Sequence, residues 1–125
     1  MKYLLCQIEK LRYAVPVGQV ARIEEPDGDE RFSPQPWQSH LRRNAADASN
    51  YTARILLEAQ PELLPLYVEE VIDLSVDYEG AISPFPTNLI DAPAALFSGI
   101  ILLNELPYIV ISASGLAKAR DNATG

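Results

Sequence analysis

This chain is poor in the residues that usually carry catalysis or hold metals. It has one cysteine and one histidine in 125 residues. A single cysteine cannot form an internal disulfide, which suits a reducing cytoplasm. One Cys with one His falls short of the several ligands a zinc site draws on, so no metal or other cofactor is expected. The six glycines are scattered singly, and no phosphate-cradling loop can be built from them. No stretch approaches the ~18 consecutive apolar residues of a membrane span. The opening MKYLLCQIEK reads as a strand rather than a cleavable leader. Lysine and arginine are absent between residues 55 and 117, while nine Asp or Glu fall there, and the whole chain carries −7. Such a field repels nucleic acid and anionic lipid. It leaves either a solvated acidic face or one that meets a basic partner.

What is present is strand periodicity. Leu4, Cys6 and Ile8 alternate with more polar neighbours, as in a half-buried strand, and Tyr13, Val15 and Val17 resume the same period. Tyr51, Ala53, Ile55 and Leu57 make a third strand. Pro61 interrupts before Leu64, Leu66 and Val68 begin a fourth. The runs GIILL (99–103) and PYIVIS (107–112) flank Asn104, Glu105 and Leu106. They predict a hairpin with both strands buried on both faces. Residues 24–50 lack strand period, and a short helix over 37–48 fits Pro36 in its first turn with Trp37 and Leu41 on one face.

A weak internal repeat runs through these elements. V-P-V at 15–17, then Val20 and Ile23, then S-P-Q-P at 33–36, answers L-P-L at 64–66, then Val71 and Leu74, then S-P-F-P at 83–86. The expected organisation is one domain over 1–120 with pseudo-repeat halves 1–36 and 51–116, an irregular insert at 37–50 and a tail at 121–125. Only the second half carries a closing hairpin.

The adjacent pair Glu69 and Glu70 sits inside the apolar run LPLYVEEVIDLSV. Neighbours on a strand point to opposite faces, so the two carboxylates cannot converge on one substrate atom. Burying either one unpaired would be costly. A bulge or sharp bend that turns both to water is the economical reading. Cys6 falls on the apolar face of its strand and reads as core, and His40 sits beside Arg42 and Arg43 as a surface residue. No catalytic residue is assigned, although a Cys6–His40 dyad is not forbidden by spacing alone.

Three blocks together resemble the CheW-like domain family, the adaptor module of bacterial chemosensory arrays. They are YLLCQIEKLRYAVPVGQVARI (3–23), LPLYVEEVIDLSVDYEGAISPFP (64–86) and FSGIILLNELPYIVISASGL (97–116). The resemblance implies a mainly β fold, a pair of SH3-like β-barrels side by side, and a non-catalytic role bridging chemoreceptor tips and a histidine kinase. It also implies partner contacts at Val20, Arg22 and Ile23, with Arg22 standing where the family usually has an acid, and at Glu69 and Glu70. The family's middle hairpin, G-x-x-N-L-R-G ending in P-V-x-D-L, has no counterpart between Pro36 and Tyr51. The first barrel is therefore expected to be incomplete. Its open side would be covered by the segment carrying Trp37 or by a second chain in a homodimer. A self-associating scaffold that kept the fold and lost chemosensory partners is the alternative.

Overall fold

A computed structural model of the protein describes residues 1–8, 11–26, 51–59, 63–84 and 96–124, the last stretch with side chains as far as residue 118. The expected helix over 37–48 lies outside the described residues. Among the described residues there are eight strands. β1 (Lys2–Ile8) and β2 (Leu11–Pro16) form a hairpin, and a 3₁₀ turn at Val17–Gln19 leads into β3 (Val20–Glu24). β4 (Ala53–Leu57), β5 (Leu64–Val68), β6 (Glu70–Asp77), β7 (Phe97–Leu103) and β8 (Leu106–Ile111) follow, and the helix α1 (Ala113–Thr124) ends the chain. The strands make two sheets, one of five in the order β6-β1-β2-β8-β7 and one of three in the order β3-β4-β5. All pairings are antiparallel except β2 with β8. No helix of the described residues is long and apolar enough to cross a membrane.

The mainly β architecture with unequal sheets agrees with the expected fold class. Among the described residues, neither sheet closes strand to strand into a barrel. The larger one comes near to it: beyond β6, at one edge, Ser83 pairs with Ile100 of β7, at the other. Ser83 N donates to Ile100 O at 2.9 Å and Ile100 N to Ser83 O at 2.8 Å. Gly99, beside this bridge, has φ +153°, and a Cβ there would run into the Ser83 carbonyl oxygen and the Ile82 side chain. Only glycine lets the two chains approach so closely.

Sheet membership cuts across the two sequence halves. β1 and β2 join β6, β7 and β8, whereas β3 pairs with β4 and β5. The core is divided accordingly. Leu4, Cys6 and Ile8 of β1 pack with Ile55 and Leu57 of β4, Leu64 and Leu66 of β5, and Leu116 of α1. The alternate residues Tyr3 and Leu5 join Ala14, Ile101, Tyr108 and Val110 in a second cluster. Side chains alternate across a strand, so the two clusters occupy opposite faces of the larger sheet. β1 is thus buried on both faces and not on one, as its alternation suggested. Leu57, Leu64 and Leu66 are fully buried, and truncating such a leucine to alanine removes about 2–5 kcal/mol of stability.

The C-terminal hairpin departs from expectation on one strand. β8 is buried over its second half, but β7 alternates, with Ser98 and Leu102 exposed. The tail end also differs: a helix runs through Thr124. Ser112 Oγ accepts from Gly115 N at 3.2 Å, and Gln19 Oε1 accepts from Ala113 N at 3.2 Å. Two side chains thus cap amide groups that the first turn cannot satisfy itself, while buried Leu116 fixes the helix to the core. Gly115 in the first turn weakens the local helix signal.

The hairpin loop is two residues long, with Leu103 already paired to Leu106. Asn104 and Glu105 have φ of 51° and 67°, as a type I′ turn requires at both positions. Asparagine tolerates that region and glutamate does so at a cost of about 1 kcal/mol. Glu105→Gly is therefore expected to raise stability, with Tm rising by about 4 °C in a thermal melt.

Candidate protein-interaction surface

Glu69 is the single residue between β5 and β6, and hence between the two sheets. The run from Leu64 to Asp77 is one strand in sequence that changes sheets at this point, a recognised way of turning a corner between packed layers. The corner is pinned through the main chain. Glu69 N donates to Gln7 O at 3.0 Å, Thr52 Oγ1 donates to Glu69 O at 2.7 Å, and Thr52 N donates to Val68 O at 3.0 Å. Glu70 is exposed and Glu69 half-exposed. The bend expected from the sequence is present, and two adjacent carboxylates explain its position: a straight strand would carry one of them into the core.

Val20, Arg22 and Ile23 lie on β3, an edge of the smaller sheet. Val20 and Ile23 pack against the core between the sheets, and Arg22 is exposed. A register shift between Val20 and Arg22 bulges the strand at Ala21 and carries the chain past one residue without a partner. Glu69 follows β5, the opposite edge of the smaller sheet, and Glu70 opens β6 in the larger one. Two strand spacings, ~10 Å of sheet width, separate β3 from β5, so the two groups stand apart and not as one cluster. Trp37 lies outside the described residues.

Between the flanks runs a row of side chains that the sequence reading missed. Glu24, Arg54 and Tyr67 stand opposite one another on β3, β4 and β5. Arg54 donates from Nε at 2.9 Å and from Nη2 to Glu24 Oε1, and Arg22 Nε donates to Glu24 Oε2 at 3.1 Å. The Arg54 guanidinium lies 5.9 Å from the Tyr67 ring centroid, a cation–π distance. Tyr51 meets Tyr67 edge-on at 6.4 Å. Two signals for this row were available in the sequence. Arg22 and Glu24 share a strand face at i, i+2, and Arg54 is the last cation before the cation-free stretch, set among inward-facing Ala53, Ile55 and Leu57.

Of the remaining candidates, only Cys6 lies within the described residues. Cys6 is fully buried, and burial pushes its thiol up to about 12, so no thiolate nucleophile forms at neutral pH. His40 lies outside the described residues. Among the described residues no group of three or more His, Cys, Asp or Glu is placed to hold a metal.

Hydrogen bonds from Arg54, and secondarily from Arg22, hold the Glu24 carboxyl below its usual range. A depressed folded-state value means that its stabilisation is fully present above the unfolded value, ~4.3, and is lost as pH falls through the lower folded value. Glu24→Gln should accordingly lower the urea midpoint at neutral pH, and the gap from the unsubstituted protein should close on acidification below about pH 4. A gap independent of pH would place the effect elsewhere.

No family model matches this sequence, and no curated protein matches it. Among solved structures, the scaffolding protein TtCheW from Thermoanaerobacter tengcongensis is similar, with a TM-score of 0.71 at 14% sequence identity, over 92% of this chain and 86% of that one. At that identity the likeness speaks for the path of the backbone, and the chain has a CheW-like fold.

Proposed function

We propose that this chain is a non-catalytic protein–protein interaction module of the cytoplasm, an adaptor that bridges or modulates a chemoreceptor and a histidine kinase in a bacterial chemosensory assembly. The likeness of its backbone to a scaffolding protein over 92% of the chain carries the reading. The build of the molecule supports it: the charged groups best defined in space form a cross-strand row on a sheet face, a feature suited to recognition. In this reading Val20, Arg22 and Ile23 on β3, with Glu69 and Glu70 at the corner, supply contacts, and Trp37 is a further candidate contact from its sequence alone.

A second reading rests on the edge position of β3, which among the described residues has no strand beyond it. An open edge is a template for pairing, and a homodimer through the smaller sheet would bury it. The chain would then be a self-associating scaffold without chemosensory partners.

Two measurements separate these readings. Calorimetric titration against a kinase regulatory domain and a receptor signalling tip should show binding to at least one. Arg22→Glu and Glu70→Lys, both at exposed positions, should each weaken it by about tenfold. Binding to neither would remove the adaptor reading. In sedimentation at micromolar concentration a dimer that Ala21→Asp, at an exposed position of β3, dissociates favours the second reading, and a strict monomer removes it.

A further inference from the structure

We propose that the tip of the β7–β8 hairpin is a knob that docks into a protein partner offering an apolar recess with a Lys or Arg at its rim. The end of the ribbon is apolar on both sides. Leu102 stands opposite Pro107 and Leu103 opposite Leu106, and successive cross-strand pairs face opposite ways. Leu102 is 61% exposed and Leu106 39%, although an ordinary exposed ribbon presents polar residues on at least one face.

Glu105 supplies the second observation. It holds a left-handed φ of 67°, where glycine would be less strained. It makes no ion pair among the described residues, and no cation occurs in sequence between residues 55 and 117. The I′ turn sets this φ and the Cβ bears its cost, and the carboxylate adds no ion pair within the described fold to offset it. Backbone strain of this kind clusters at sites that act on a ligand or partner. The other edge of the same sheet is guarded differently: β6 carries Glu70, Asp73 and Asp77 and two register shifts against β1, whereas none of the seven residues of β7 is charged.

The chemistry at the tip selects the partner class. A carboxylate between leucines is repelled by anionic lipid and nucleic acid. A second copy docking through the same half of its chain would set Glu105 against further carboxylates. A protein recess with an apolar floor and a cationic rim satisfies both leucines and the acid. This inference does not depend on the adaptor reading.

The test uses the full chain in cells that express it natively, with a photo-crosslinking phenylalanine analogue at position 102 and, as control, at exposed Ser98 on the same strand. The expected result is an adduct to another protein from position 102, mapped by mass spectrometry to a peptide with Lys or Arg beside apolar residues. Glu105→Lys should cut its yield by about tenfold. Glu105→Gly should also cut it while raising Tm, which separates docking from folding. A kinase or receptor in the adduct supports this inference and the adaptor reading together, and a different protein with the stated contact chemistry supports this inference alone. Labelling at 102 no stronger than at 98, an adduct with a second copy, or a yield indifferent to Glu105→Lys would overturn it.

Discussion

The burial of β1 from both sides organises this molecule. Leu4, Cys6 and Ile8 face the smaller sheet, and Tyr3 and Leu5 face into the curl of the larger one. A strand whose residues 3 to 6 and 8 are all apolar cannot lie at a solvated surface, so it requires a layer on each face. The smaller sheet supplies one layer. The other is made by the larger sheet bending until the chain beyond β6 reaches β7 through Ser83. Gly99 makes that approach sterically feasible.

The corner at Glu69 follows from the same demand. With β1 central, the chain that pairs beside it as β6 must leave the smaller sheet, where β5 covers the inter-sheet core. The two carboxylates fall where the strand changes sheets and can face water there. Hydrogen bonds from Glu69 N to Gln7 O and from Thr52 to the main-chain oxygens of Val68 and Glu69 hold the turn. Gln19 ties the third side together: its main-chain oxygen accepts from Glu58 N, and its side chain caps α1. The smaller sheet, the 3₁₀ turn and the helix are thereby joined through one residue.

Much of this was legible from residue order. Period-two alternation located β1, β2, β4 and β5, the pair Glu69–Glu70 located the corner, and the runs at 99–103 and 107–112 located the last hairpin. α1 was not legible, because Gly115 masks its first turn and one of its two caps, from Gln19, is 94 residues away in sequence. The double burial of β1 was hidden for a similar reason. Alternation between apolar and slightly less apolar residues looks like one wet face until a second layer is seen to cover it.

The row Glu24–Arg54–Tyr67 shows where residue order stops informing. Glu24 and Arg54 are 30 residues apart, and nothing local says that they oppose each other. Strand pattern determined which residues share a face, since that depends only on backbone pleat. The partners of each strand, the crossing of sequence halves between the sheets and the separate positions of Arg22 and Glu70 were decided by long-range pairing. That pairing is chosen by how two apolar layers can enclose a strand already committed to burial on both faces.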